Sequence, residues 1–372
     1  MRIGIPTEIK NNENRVAITP AGVHELVRRG HEVFIQAGAG VGSSFSDESY
    51  TAQGATILAT AEDVWQKGDL LLKVKEPIAA EYQLLRKDQV LFTYLHLAAS
   101  RPCTEALVSA GGVAIAYETV QLQNRSLPLL QPMSEVAGRL SAQIGAYQLM
   151  KNEGGRGVLM GGVPGAAKAK VVVIGGGVAG EHAATMALGM QADVTVIDIS
   201  LPKLRELDAR FGGHVKTRVS TAYEIANELK DADLVIGSVL IPGEKALKLV
   251  TDEMVKTMKP GSVLVDIAID QGGCFENSKP TTHDAPTFKV HNSTYYCVAN
   301  MPGAVPATST VALTNATLPY VVAIAEKGWK AAVASDEALA KGLNVWNGKI
   351  TYSGVQHAFA DMETATIAEA IA

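Results

Sequence analysis

Three glycines in the spacing Gly175-x-Gly177-x-x-Gly180, followed 18 residues later by Asp198, could hold a dinucleotide. Gly175 would permit a tight turn, Gly177 would let backbone approach a pyrophosphate, and Gly180 would let a helix pack closely on a strand. The free N–H groups at the start of that helix favour the phosphates. A carboxylate such as Asp198, at the end of the second strand, accepts from the adenosine ribose hydroxyls and repels a 2′-phosphate. It therefore favours NAD over NADP, although Lys203 lies close by. The same glycines in isolation would also suit a structural turn.

Four further side chains could act on a small anion. Arg15, in the polar stretch Asn12–Ala17, has the planar fork that recognises a carboxylate; alone it also reads as a surface arginine. Lys75 follows the apolar run Leu70–Val74 and could polarise a carbonyl oxygen, or simply pair in solvent with Glu76. His96 ends Val90–Leu97, a run in which Phe92, Tyr94 and His96 would share one face of a strand. Imidazole suits proton transfer near neutral pH, but a core histidine bonded to backbone fits the same pattern. Asp270, beside Gly272-Gly273, could orient a water or a ribose, or be an ordinary turn aspartate.

These residues need strand ends to hold them, and the pattern supplies strands. Lys170–Asp198 reads as strand, glycine turn, helix and strand. Further strands are expected at Arg2–Pro6, His31–Gln36, Leu70–Val74, Val90–Leu97, Val113–Tyr117, Val215–Arg218, Leu234–Val239 and Ser262–Ile267. Between them fall expected helices: one opened by Thr19-Pro20, then Ala61–Gln66, Ala79–Leu85, Pro102–Ala110, Leu201–Arg210, Ala222–Leu229 and Asp252–Met258. A long helix is expected at Ser134–Asn152 with Ser134 as its cap, and more helices at Thr310–Ala325 and Asp336–Gly342. Alternating strands and helices imply an α/β fold built on parallel sheets. Open sheets of this kind bind ligands beyond the carboxyl ends of their strands, where Lys75, His96 and Asp270 stand.

At 372 residues the chain suits two domains. A net charge of −5 with no basic stripe argues against a nucleic-acid partner. The apolar runs look too short and too broken by glycine or charge to span a bilayer, and no signal-peptide pattern follows Arg2. Cys103, Cys274 and Cys297 are odd in number and lack CxxC spacing, which suggests reduced thiols in a cytoplasm. The eight histidines form no ligand cluster in sequence, so no metal is expected.

The chain resembles the bacterial L-alanine dehydrogenase family, which shares ancestry with the transhydrogenase α subunit. The likeness rests on GIPTEIKNNENRVAITP, LLLKVKEP, LFTYLHLA, IAYETVQ, LPLLQPMSEVAGR, GGRGVLMGGVPG, VIGGGVAG, DLVIGSVLIPG, VLVDIAIDQGG and VANMPGAVPATST. It implies two Rossmann-like, doubly wound domains with a cleft between them. The substrate domain would be discontinuous, 1–128 plus 308–372, with an NAD-binding domain at 129–307. Also implied are reversible NAD-dependent oxidation of L-alanine to pyruvate and ammonium, and a cytoplasmic homohexamer. By motif, Arg15 and Lys75 would bind substrate, and His96 and Asp270 would share the acid–base work. The nucleotide would meet Ser134, Gly175, Gly177, Val178, Ala179, Gly180, Asp198, Lys203, Ser220, Val239, Leu240, Ile267, Ala268, Ile269, Asp270, Lys279, Val298, Ala299, Asn300 and Met301. Glu181-His182 and Gln191-Ala192 depart from the family pattern. A transhydrogenase-like nucleotide carrier, a saccharopine-type dehydrogenase and a non-catalytic NAD-binding regulator are the rival readings.

Overall fold

A strand covered on both faces reads as an unbroken apolar run, whereas a half-covered strand alternates. The run Val171–Ile174 is of the first kind. Val171 and Val173 pack on one face with Ala183, Ala184 and Ala187 of the helix Val178–Gly189. Val172 and Ile174 pack on the other with Ile225 and Leu229 of the helix Ala222–Asp231. The computed structural model describes residues 1–239 and 247–372, and within them the chain forms two units, Met1–Met133 with Val305–Ala372, and Ser134–Ala304.

The first unit opens with β1 (Arg2–Ile5), β2 (Glu32–Gln36), β3 (Thr56–Leu58), β4 (Leu70–Leu72), β5 (Val90–Thr93) and β6 (Val113–Ala116). They lie parallel in the spatial order 3-2-1-4-5-6. Strand order therefore reverses at β1, which places a topological switch point at the carboxyl ends of β1 and β4.

The second unit holds β7 (Lys170–Ile174), β8 (Asp193–Asp198), β9 (Lys216–Val219), β10 (Leu234–Gly237), β11 (Val263–Asp266), β12 (Thr287–Val290) and β13 (Ser293–Tyr296). Their spatial order is 12-13-11-10-7-8-9, all parallel except the β12–β13 pair. Here the switch point lies between β7 and β10. From Val305 the chain is again part of the first unit, where β14 (Leu343–Trp346) and β15 (Lys349–Ile350) extend the sheet antiparallel from β6.

Several expectations need correction. The strand expected at Val90–Leu97 stops at Thr93, because Glu118 accepts hydrogen bonds from the N–H groups of Leu95 and His96 and so ends the ladder. The segment Ala79–Leu85 contains only a single 3₁₀ turn, Tyr82–Leu84. The long helix runs Gln131–Gln148, so Ser134 lies inside it rather than capping it. Strands β3, β12, β13, β14 and β15 were not expected; they are short, and pairing with neighbours makes them strands.

The apolar runs are also not all too short for a bilayer. By length and composition the helix Pro306–Lys327 would qualify. In the first unit it packs on the helix Pro20–Arg28 and buries Ser309, Thr310, Leu313, Thr314, Thr317, Val321 and Ile324 along one side. That side combines hydroxyls with aliphatics, and Thr310 Oγ1 accepts from the N–H of Val16.

Candidate active site

In the second unit, the segments after β7, β8, β9, β10, β11 and β13 all leave the carboxyl edge of the sheet. Asp198 closes β8 itself, and the segments after β7, β9, β10, β11 and β13 carry Gly175–Gly180, Ser220, Val239, Ile267–Asp270 and Val298–Met301 respectively. Leu240 lies outside the described residues. The glycine turn is shaped by close approach. A Cβ on Gly180 would stand 1.8 Å from the carbonyl oxygen of Gly175, and Gly175 itself has φ +99° with Val239 packed against it. Gly177 differs, because a Cβ there would meet nothing within 4 Å. Two glycines thus close the turn, while the middle one borders open space, as a cradle for a pyrophosphate requires. Ser238, just past β10, donates from Oγ to the carbonyls of Ile174 and Gly175 and ties the two switch-point strands together.

Asp198 stands beside this turn. Its Oδ2 accepts from the N–H of Gly176 at 2.6 Å, its Oδ1 from that of Ser200 at 2.7 Å, and its backbone oxygen from the N–H of Ser220. The carboxylate is therefore fixed at the carboxyl end of β8, between the glycine turn and the helix Leu201–Phe211. Lys203, in that helix's first turn, pairs with Glu181 at 3.0 Å and Glu206 at 2.9 Å. Ser134 sits on the helix whose Gly138 faces the carbonyl of Ala179 so closely that a Cβ would lie 2.2 Å from it. Lys279 places its ammonium 4.6 Å from the ring centre of Phe288. These donors, the open glycine and the fixed carboxylate fit a dinucleotide.

Asp270 is exposed on the 3₁₀ turn Ile269–Gln271. Its loop is organised by Asp266 at the end of β11. That buried carboxylate accepts from the N–H groups of Ala268, Cys274 and Phe275 and from Oγ of Ser278. Asp266 was not singled out from the sequence, since an aspartate closing an apolar strand looks the same with or without such donors.

In the first unit, the carboxyl ends of β1, β4 and β5 carry the other candidates. Arg15 is not a surface residue: its side chain is 2% exposed. Glu13 chelates it, with Oε1 accepting from Nε at 2.7 Å and Oε2 from Nη2 at 2.6 Å, while Nη1 lies 3.0 Å from Sδ of Met133. Glu76, beside Lys75, bonds Lys10 at 2.5 Å. The backbone of Lys75 is held by its N–H on Glu8 and its carbonyl on Thr93.

Beneath it, Lys73 is buried with Glu8 at 3.2 Å and Glu81 at 2.8 Å, and Oε1 of Glu8 also accepts from the N–H of Val74 at 2.6 Å. Burial opposes the charge on Lys73, but the two carboxylates outweigh it and hold its pKa above the ordinary lysine value. This ion-paired cluster fixes the segment after β4. Glu8, Glu13, Lys73 and Glu81 were all missed as structural parts of the site. The one local signal was an acid two residues before Arg15.

His96 is neither a core residue nor part of a strand. It adopts the left-handed conformation at φ +48°, with its side chain 42% exposed. Its N–H donates to Oε1 of Glu118 at 2.6 Å, and its ring stacks at 6.0 Å on Tyr94, whose hydroxyl donates to the carbonyl of Leu129. Tyr94 and Arg15 are near enough to feel each other electrostatically, as are Lys75 and Glu13. The first unit thus gathers a preset guanidinium, a lysine on a fixed backbone and an accessible imidazole at one edge of its sheet.

Family models match both parts of the chain: the N-terminal domain of alanine dehydrogenase/PNT over residues 4–137 and its C-terminal domain over 141–353. The chain belongs to the alanine dehydrogenase/PNT family. It is 66% identical to an alanine dehydrogenase of Mycolicibacterium smegmatis, over 95% of this chain and 96% of that one. A solved L-alanine dehydrogenase superposes with a TM-score of 0.94 at 52% identity, covering 97% of this chain and 99% of the other. A transhydrogenase from Sinorhizobium meliloti superposes less closely, with a TM-score of 0.81 and 27% identity over 95% and 99% of the two chains. The mixed α/β architecture with two mainly parallel sheets is that of the two-domain alanine dehydrogenases.

Proposed function

We propose that this chain catalyses the reversible, NAD-dependent oxidative deamination of L-alanine to pyruvate and ammonium. The observation that carries the reading is the 66% identity, across nearly the whole of both chains, to an enzyme of that name. The transhydrogenase likeness is weaker, and the preset Arg15 would have no evident task in a simple nucleotide carrier.

On this reading the unit bearing Arg15 takes the substrate. Arg15, already oriented by Glu13, meets the alanine carboxylate through a charge-assisted contact. Lys75 holds the substrate oxygen, its backbone fixed by Glu8 and Thr93. His96, exposed and presented by Glu118, moves protons at the substrate's α-nitrogen and at the water that adds to Cα. Asp270 shares that acid–base work. The unit bearing the glycine turn holds the cofactor: Gly175–Gly180 at the pyrophosphate, Asp198 on the adenosine ribose hydroxyls, and Ser134, Lys203, Ser220, Val239, Ile267, Lys279, Asn300 and Met301 around the rest. When bound, nicotinamide supplies the acceptor for the hydrogen lost from Cα.

We further propose a cytoplasmic homohexamer. Three buried free thiols, Cys103, Cys274 and Cys297, accord with a reducing compartment, and a sizing column checks the assembly. The activity is tested in the reductive direction. NADH should be consumed when pyruvate and ammonium are both present and not when either is omitted; consumption with pyruvate alone would mean a different reaction.

A further inference from the structure

Glu181 lies one residue past the third glycine, in the first turn of the helix Val178–Gly189, with its side chain only 9% exposed. A carboxylate so placed needs partners, and it has two. Lys203 reaches its Oε2 at 3.0 Å, and the guanidinium of Arg210 pairs with its Oε1. Both cations come from the helix Leu201–Phe211, where positions 203, 206 and 210 share one face. Glu206 on that face adds a second bond to Lys203 at 2.9 Å.

That helix starts directly after the carboxylate expected to meet the adenosine ribose. Its cap Ser200 donates a backbone N–H to Asp198 and accepts from the N–H of Lys203 on its hydroxyl. A cation in this first turn is where a dinucleotide fold accommodates a ribose 2′-phosphate. Lys203 occupies the place, but burial favours its neutral form and the hydrogen bonds to Glu206 and Glu181 overcome that, raising its pKa. Its charge is therefore spent within the protein.

We propose that Glu181 is a specificity-determining residue: by holding Lys203 and Arg210 it denies a 2′-phosphate the cations it would need. Selection against the phosphorylated cofactor then has two parts, repulsion by Asp198 and sequestration by Glu181. This inference rests on the reading of the glycine turn as a dinucleotide site.

The test reads binding rather than turnover. Dissociation constants of NADH and NADPH are measured from the fluorescence of the bound reduced nucleotides, for the unaltered protein and for Glu181→Gln, which keeps shape and removes charge. Releasing Arg210 and weakening the hold on Lys203, which keeps its bond to Glu206, should lower the NADPH-to-NADH ratio of dissociation constants by about tenfold. Arg210→Met added to Glu181→Gln should reverse part of that gain. An unchanged ratio in folded Glu181→Gln overturns the inference.

Should Glu181→Gln fail to fold, Arg210→Met alone decides: a sequestered arginine leaves the ratio unchanged, and selective loss of NADPH binding means Arg210 already serves the phosphate. If the unaltered protein binds neither nucleotide, the dinucleotide reading falls and the inference with it. Binding without alanine oxidation would instead overturn only the proposed substrate.

Discussion

Glu13 grips Arg15 three times: its carboxylate accepts from the backbone N–H at 3.1 Å, from Nε at 2.7 Å and from Nη2 at 2.6 Å. Both side chains are almost wholly buried. One edge of the guanidinium, Nε and Nη2, is thereby fixed before any substrate arrives, which lowers the entropy cost of binding a carboxylate. Removing the acid would take the bidentate carboxylate away from a buried guanidinium, so Glu13→Ala should lose about 3–5 kcal/mol of stability. Urea unfolding of the first unit's fluorescence checks this, and a midpoint equal to that of the unaltered protein would contradict it.

The same pair sets a pH dependence. Burial alone would raise the Glu13 carboxyl, but the hydrogen bonds and charge of Arg15 prevail and hold it below the usual carboxylate value. A depressed carboxylate gives stability that is full above its unfolded pKa, about 4.3, and is lost as pH falls through the lower folded value. The difference in urea midpoint between the unaltered protein and Glu13→Gln should therefore be constant above about pH 5 and shrink below about pH 4. A difference independent of pH down to acid unfolding would refute the assignment.

Gly177 and Gly180 should separate binding from folding. Alanine at 180 drives a Cβ into the carbonyl of Gly175 and should destabilise the second unit severely. At 177 the extended backbone tolerates a side chain and the space is open, so Gly177→Ala should keep its Tm. If a pyrophosphate lies over that space, NADH should bind about tenfold or more weakly. Calorimetry and nucleotide titration on the two variants check this, and tight NADH binding by Gly177→Ala would argue against the cradle.

For His96, substitution should affect chemistry and not cofactor binding. His96→Ala should hold NADH normally while kcat falls by roughly 10²–10⁴-fold, the usual range for a lost acid–base group. Steady-state rates with alanine, alongside NADH titration, provide the check. A kcat within about twofold of the unaltered enzyme would remove His96 from the mechanism.

The parallel strands of the second unit were readable because both faces are covered, so Val171–Ile174 and Leu234–Gly237 stand out as apolar runs. The glycine turn was readable because its spacing encodes close approach. His96 was misplaced because Glu118, 22 residues away, captures its N–H, and no local pattern announces a distant acceptor. The cluster Glu8–Lys73–Glu81 escaped notice for the same reason. Lys73 and Glu8 lie 65 residues apart, and a buried charge is spelled with the same letters as a solvated one. β14 and β15 are strands through their pairing with β6 and with each other, which the tail's local composition does not signal.

The most direct measurement adds L-alanine and NAD to the purified chain and follows NADH absorbance while pyruvate and ammonium are assayed. The account predicts that NADH, pyruvate and ammonium appear in equal amounts, and that NADP in place of NAD gives far slower turnover. Failure of alanine to reduce NAD under conditions where the protein is folded and binds NADH would contradict it.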